Sequence, residues 1–443
     1  MLLLAAGFLL TEETRAQDAE VLTLEAAFER ALEQNHAVQV ELLRREESRN
    51  SVFRGAAGQL PTIDLTGSGT FSRSDSDLQI ASFTPEGTSE LSDVSIDGAE
   101  STTLEAGVEV NYTIFDGFGG RYRYRALQAQ DRLTQLSSRT NIEQTLTEVA
   151  AAYFALLQAE EQLEIVEENL SLSEARLERI KEARRVGQAR QLDELNAEVD
   201  RDTDAISLEE ARNQREEAQR ELLFALGMDI SEGMMMELDD TYQVSETLEL
   251  DVLLQRSITQ NAALAAAEEQ VRQAEINRSL EGSRRFPTLD ARARYGYTRQ
   301  ENDAGQLLEL EETGYTASLS LRYNIFSGGV TRRAVQNADI NIKNRHENRQ
   351  MMRKQVEKDL MNAYATWTTQ QRQRELAERS ERTAALNFEN AEQAFQRGTI
   401  SSIELREAQL NLQNARLRLS EISYALKQQE IVLLRITGDL VSL

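Results

Sequence analysis

The chain has no cysteine in 443 residues, which excludes disulfides, thiolate metal sites and a lipid-modified N-terminal cysteine. Only three prolines and few aromatics, beside 28% charged residues, read as a helix-rich protein. Basic charge is scarce: 49 Lys and Arg stand against 75 Asp and Glu, a net charge of −26. That argues against a nucleic-acid partner, whose phosphates need neutralising, and suits a lumen that tolerates negative potential. The two histidines, His36 and His346, fall in unrelated helical stretches, and no phosphate loop or nucleophile–base pattern is present. No enzyme, cofactor or metal site is therefore expected, since a metal needs several convergent ligands.

Apolar runs long enough to span a bilayer are also missing, so the mature chain should have no transmembrane helix. The opening MLLLAAGFLL, followed by TEETRAQDAE, reads as a signal-peptide h-region within residues 1–19, cleaved near Ala16 or Ala19. The absent basic residues suggest a truncated start, and a buried helix start is the alternative.

What is present is organised around a proline-free stretch between Gly120 and Gly187, a helix of roughly 100 Å at 1.5 Å per residue. Ile142, Val149, Leu156, Leu163, Leu170 and Leu177 keep a seven-residue beat, with Ala152, Ala159, Val166, Ser173 and Ile180 three positions later. Such an a/d seam with small d residues admits a close partner helix. A coiled-coil rod is the simplest reading of that stretch alone.

The first repeat is assigned to residues 20–228: a helix, strands at about 61–73 and 102–115, a long helix over 120–186 and a short helix over 191–226. A polar loop is expected from Ser74 to about Glu100. A linker covers 229–248. The second repeat, 249–443, has a helix, strands at about 287–299 and 313–326, a long helix over 329–397 and a short one over 401–437. The duplication is visible by offset: Phe115 to Phe326, Tyr153 to Tyr364, Gly187 to Gly398 and Gly227 to Gly438 are each 211 residues. Asn35 to Asn261 and Pro61 to Pro287 are 226, the difference lying in the loop between strands.

The strand segments alternate apolar and polar over about ten residues, the pattern of outer-membrane strands. Asp64, Glu105, Glu109, Asp290, Arg292, Arg294 and Arg322 occupy a face that water would tolerate and lipid would not. Tyr112, Phe115, Tyr323 and Phe326, with Phe71 and Tyr297 further along, would suit an interfacial belt. Four strands cannot close alone, so oligomerisation is expected. In the last helix, Ile403, Leu410, Leu417, Tyr424 and Ile431 make one stripe; Leu405, Leu412, Leu419, Leu426 and Leu433 make a second. Two stripes suit a stave with a neighbour on each side.

Duplicated strand–strand–helix units joined through YTIFDG and YNIFSGG, the N-terminal TLEAAFERALEQNHAV, and hairpins at VGQ and RGT resemble the TolC family of outer-membrane channels from Leu22 to Asp439. The resemblance implies an α+β membrane protein. Three protomers, four strands each, would form a trimeric twelve-stranded outer-membrane β-barrel continued by a long periplasmic α-helical barrel in a Gram-negative bacterium. It also implies outer-membrane lipid around the homotrimer, a periplasmic adaptor (membrane fusion) protein, and an inner-membrane pump of RND or ABC type. His36 stands where the family usually has proline, and Gln188 where the first tip usually reads V-G-L.

Aligned on the tip glycines, the acidic positions that narrow the family's tunnel fall on Asp193, Glu404 and Glu407. Glu404 also completes a Ser401–Glu404 capping box, which accounts for it without any pore role, and acids are favoured in any helix's first turn. The adaptor-docking candidates are Val186, Gly187, Gln188 and Ala189, and Arg397, Gly398, Thr399 and Ile400; simple turn residues are the alternative. Phe395 and Ile400 replace the family's tip tyrosine and arginine, leaving Arg190 or Arg397 as substitutes for the closed-state bonds. The expected role is a passive duct; a soluble coiled-coil scaffold or tether is the alternative.

Overall fold

The computed structural model describes residues 21–83, 89–230, 237–245, 247–304 and 307–440. The signal-peptide assignment lies outside the described residues. In chain order the elements are α1 (Leu24–Gln34), α2 (His36–Asn50), β1 (Thr62–Phe83), β2 (Ser89–Phe115), α3 (Gly119–Arg185), α4 (Gln191–Leu226), α5 (Leu250–Gln260), α6 (Ala262–Ser283), β3 (Thr288–Asn302), β4 (Glu309–Arg322), α7 (Val330–Gln396) and α8 (Ser402–Thr437). They divide into a helical unit (1–45, 135–266, 350–443) and a sheet-bearing unit (46–134, 267–349). Among the described residues, no helix is long and apolar enough to cross a membrane.

The sheet-bearing unit holds one antiparallel sheet in the order β1-β2-β3-β4. Its register puts Ile63 opposite Val110, Leu65 opposite Val108, Val108 opposite Tyr295 and Tyr295 opposite Tyr315, one apolar row across all four strands. Because side chains alternate, the other face carries Asp64, Glu105, Glu109, Asp290, Arg292 and Arg294. There Arg294 pairs with Glu105 at 3.1 Å and Arg292 with Glu109 at 3.4 Å.

Three sequence expectations need correction here. The polar loop from Ser74 to Glu100 is largely strand: β1 runs on to Phe83 and β2 starts at Ser89. A register shift between Ser74 and Ser76 slips the period-two pattern, with Gly98 at φ +68 and its N–H donating to Asp75 Oδ1 at 2.5 Å. At the other end β4 spans Glu309–Arg322 instead of 313–326, so Tyr323 and Phe326 lie beyond it. The expected single first helix of each repeat is broken, at Asn35 and at Asn261, both near φ −64 and ψ +120. Asn35 Oδ1 accepts from the N–H groups of Ala37 and Val38, starting α2, while its Nδ2 donates to Ala225 O at 2.7 Å. Asn261 repeats this, receiving Leu264 N–H and donating to Ile436 O. His36 is thus the first residue of α2, a place that also suits the proline usual in the family.

The helical unit's largest core surrounds Tyr153 and Phe154 of α3, with Leu24, Phe28 and Ala31 of α1, Leu222, Leu223 and Leu226 of α4, and Tyr424 and Ile431 of α8. Tyr153 Oη lies 2.8 Å from Leu22 O and 2.7 Å from Asp239 O, fastening the irregular acidic segment to α3. The second repeat builds its own core from Leu253, Leu360, Trp367, Leu426 and Leu433, with Tyr364 donating to Leu248 O at 3.0 Å. Burying such side chains contributes about 1.5–3 kcal/mol each.

The C-terminal ends of α3, α4, α7 and α8 use one device. Gly187, Gly227, Gly398 and Gly438 adopt φ of +72 to +79, and the following N–H reaches back five residues, as Gln188 to Ala183 O and Met228 to Leu223 O. Their surroundings differ. A Cβ on Gly227 would sit 2.5 Å from Gln34 O, whereas one on Gly187 would meet nothing within 4 Å. Gly187→Ala should therefore cost only the left-handed strain of about 1–2 kcal/mol. Gly227→Ala should lose a further ~1–3 kcal/mol to overpacking. Thermal unfolding of the two variants at a fixed scan rate checks the order; equal losses would contradict it.

Candidate functional site

The two hairpins of the helical unit, α3–α4 and α7–α8, carry the tip acids and docking residues that the sequence singled out. Val186, Gly187, Gln188, Arg397, Gly398 and Thr399 are exposed at the turns, and Ala189 and Ile400 are half-buried. No neighbouring atom crowds either glycine. The turns are therefore accessible in a single copy of the chain.

The three acids differ in what holds them. Asp193 forms a box with Arg190: Oδ2 accepts from the Arg190 N–H and Nε, each at 3.1 Å, and Oδ1 from Nη2 at 2.8 Å. Bonding to the Arg190 side chain, then to its backbone N–H, holds the Asp193 carboxyl below the usual range. Glu404 accepts from Ser401 N at 2.7 Å and Ser401 Oγ at 2.8 Å, and these bonds lower its pKa in the same way. The capping box foreseen at Ser401–Glu404 is thus formed. Glu407, three residues on and exposed, makes no hydrogen bond or ion pair among the described residues.

The substitutes suggested for the closed-state bonds act elsewhere. Arg190 is committed to Asp193, and Arg397 Nε donates to Gln393 O of its own turn at 3.1 Å. Phe395 instead packs, as Ala189 does, against the cluster of Leu177, Ile180 and Ala197, joining α7 to the first hairpin through apolar contact.

Further along the helices lies a polar cluster that the sequence reading missed. Arg406 of α8 forks onto Asp204 of α4, Nη1–Oδ2 2.7 Å and Nη2–Oδ1 2.8 Å. Ser173 of α3 also donates to Asp204, and Arg406 Nη1 lies 3.1 Å from Ser173 Oγ. Gln409 Nε2 reaches Asn169 O, Asn169 Oδ1 and Ser173 Oγ at 2.7–3.0 Å. Arg176 Nη2 meets Asp200 Oδ2 at 2.7 Å. Removing one member of such a buried pair typically costs 3–5 kcal/mol. A usable signal existed: Asp204 sits seven residues from both Ala197 and Ala211, buried positions of α4, so a charge occupies an apolar seam.

Apolar cover runs out toward the turns. Leu405, Leu412, Leu426 and Leu433 of α8 are buried within the chain, while Ile403 is 67% exposed and Leu410 37%. On α4, Leu192, Leu195, Val199 and Ile206 are likewise open. Both hairpins thus present an unsatisfied apolar stripe beside their acidic first turns.

The sequence matches the family model described as "Outer membrane efflux protein" at residues 27–228 and 253–439. A curated relative, outer membrane protein TolC of Vibrio cholerae, is 24% identical over 303 residues, 67% of this chain and 63% of its own length. The chain thus spans under two thirds of that relative. The fold is similar to the Campylobacter jejuni CmeC outer membrane channel, with 18% identity, TM-score 0.73, and 94% of this chain and 86% of that one covered. It is also similar to the open state of the Neisseria gonorrhoeae MtrE outer membrane channel, with 17% identity, TM-score 0.72, and 94% and 89% covered.

Both boxed carboxyls titrate below their ordinary values of 3.8 and 4.5 in the folded chain. A depressed folded pKa gives a contribution that is complete above the ordinary value and lost as pH falls through the folded one. Amide exchange in the first turns of α4 and α8 should hold steady above about pH 5, after correction for intrinsic rate, and accelerate in more acidic solution. Mass-spectrometric exchange across that range checks it; a transition near neutrality would contradict the assignment.

Proposed function

Because the chain belongs to the outer membrane efflux protein family, we propose that it is the outer-membrane exit duct of a tripartite efflux pump or type I secretion system. It conducts small molecules or polypeptides passively from an inner-membrane pump to the exterior and is gated at its periplasmic tip. The observation that carries this reading is the sheet. In one copy Leu65, Tyr315, Leu319 and Leu321 are 66–86% exposed on one face, while the other bears cross-strand ion pairs. A half-apolar sheet whose β1 and β4 lie at its two edges would aggregate in water. Three copies joined edge to edge give twelve strands, apolar toward lipid and charged toward a wet lumen. The same threefold assembly covers the open stripes of α4 and α8.

At the tip, Asp193, Glu404 and Glu407 supply the constriction, and Glu407 carries most of it because the other two carboxylates are engaged by Arg190 and Ser401. Val186–Ala189 and Arg397–Ile400 are the surfaces for a periplasmic adaptor, which couples the duct to an RND or ABC-type pump. The channel itself catalyses nothing, consistent with its family.

Detergent extracts of membranes should yield heat-resistant trimers; a monodisperse soluble rod in buffer would instead establish the scaffold reading. In planar bilayers, Asp193, Glu404 and Glu407 replaced together by Ala should raise conductance and weaken cation preference. Glu407→Ala alone should account for most of the change, on the order of 1 kcal/mol or about fivefold in permeability ratio. Unchanged reversal potentials in the triple variant would remove these residues from the gate.

A further inference from the structure

The charged face of the sheet pairs its side chains from strand to strand. Arg294 of β3 meets Glu105 of β2 at 3.1 Å, Arg292 reaches Glu109 and Asn111, and Thr113 donates to Asp290 at 2.8 Å. Toward the end where β2 leads into α3 and β4 into α7, two charges on this face are left over. Asp64 of β1 and Arg322 of β4 are exposed and make no side-chain hydrogen bond or ion pair among the described residues. The register puts both on this face: Asp64 stands opposite Glu109 and so in line with Arg294, and Arg322 stands opposite Thr288, two residues from Asp290. They have opposite charge, and they lie on the two outermost strands.

We propose that Asp64 of one copy lies opposite Arg322 of the next, and that this ion pair fixes the register in which β1 and β4 join. The seam presupposes the twelve-stranded ring proposed above and states which residues face each other where copies meet. Three antiparallel pairings separate β1 from β4, so the two run in opposite senses and meet as one more antiparallel pair. Registers that match apolar face to apolar face differ by two residues. The apolar face supplies an independent measure of the step. On the first hairpin it gives way to charge where Arg73 stands opposite Glu100, and on the second where Arg299 stands opposite Glu311. Arg299, however, is opposite Leu104, about four residues short of Glu100. The edge of the apolar band therefore steps along the strands between hairpins, as a level membrane requires of tilted strands.

With Asp64 against Arg322 the seam adds about two residues in the same direction. Around twelve strands that makes about 18 residues and a tilt of about 45°. One register further, with Asp64 against Asn324, would need more than ~50°, outside the range of such barrels. One register back sets Asp64 against Ser320 and Arg322 against Thr62, and neither charge meets its complement directly. The proposed register also brings Leu65 to Leu321 and Phe71 to Tyr315, side chains that are 65–86% exposed in a single copy. The second of these is an aromatic cross-strand pair.

The chain has no cysteine, so introduced pairs report without background. Full-length protein in membranes carries Asp64→Cys together with Arg322→Cys, Ser320→Cys or Ser318→Cys; it is oxidised, heat-denatured and separated by electrophoresis without reductant. Opposed residues of an antiparallel pair have Cα atoms about 4.5–5.5 Å apart, within disulfide reach, and a slip of two residues carries them beyond about 7 Å. The first pair should lock most chains into covalent trimers, and the other two should leave mainly monomers. Preferential crosslinking through Ser320→Cys or Ser318→Cys overturns the register, as does failure of all three pairs in chains that still assemble. Off-register crosslinking discards the seam and keeps the ring, whereas an unaltered chain that never forms trimers discards both. Charge reversal tests the ion pair itself. Asp64→Arg and Arg322→Asp should each lower the temperature at which trimers dissociate in SDS, and the two together should return it to within a few degrees of the unaltered protein. Losses that add in the double variant overturn the pairing. If a single variant fails to assemble, recovery of trimers in the double variant supports the pairing, and failure to recover overturns it.

Discussion

Backbone hydrogen bonding at the sheet edges governs the rest of this molecule. The outer strands β1 and β4 each have one sheet neighbour, leaving a row of N–H and C=O groups on the far side. Lipid offers no partner to such groups, so only a closed ring can rest in a bilayer. The demand for closure then dictates the faces: a ring in lipid must be apolar outside, and the charged row of Glu105, Glu109, Arg292 and Arg294 must line its interior. The helical unit inherits the same demand in weaker form, as stripes that its own chain leaves open.

The duplication explains how a single sequence programme supplies so many matched parts. Asn35 and Asn261, Tyr153 and Tyr364, and the paired helix-ending glycines do the same work in each repeat. They are constrained by geometry that few residues can meet. A glycine at Gly227 or Gly438 is pinned both by its left-handed backbone and by a carbonyl about 2.5 Å from any added Cβ. The repeats diverge where constraint is lighter, as in hairpin length and in the apolar side chains that fill the two cores.

Legibility in the sequence followed the strength of local signals. The long helices could be read because α3 holds its heptad from Ile142 to Leu177 without interruption, and because glycines mark both turns. The strands could be read where alternation was unbroken, and were lost at Ser74–Glu100, where a bulge shifts the pairing and Ser and Asp imitate a loop. The break at Asn35 was hidden because the apolar periodicity continues through it; only the side-chain bonds of the asparagine reveal it. At the candidate site, Glu404 was correctly seen as a cap from its spacing to Ser401. The Asp204 cluster escaped because its members are scattered over three helices, and no local pattern brings Ser173, Asp204 and Arg406 together.

The unequal hairpins have a consequence for the outer rim. Strands β3 and β4 have 15 and 14 residues, while β1 and β2 have 22 and 27, and the pairing of β2 with β3 ends at Ser101 opposite Asn302. Past a last pair of bonds between Glu100 and Asp303, β1 and β2 have only each other among the described residues. A lone two-stranded ribbon twists more strongly than a sheet and is marginal by itself. In a threefold ring three such ribbons would rise as separate posts, each able to bend without loosening the wall below. They are where foreign sequence could be spliced in, because nothing that seals the ring depends on them.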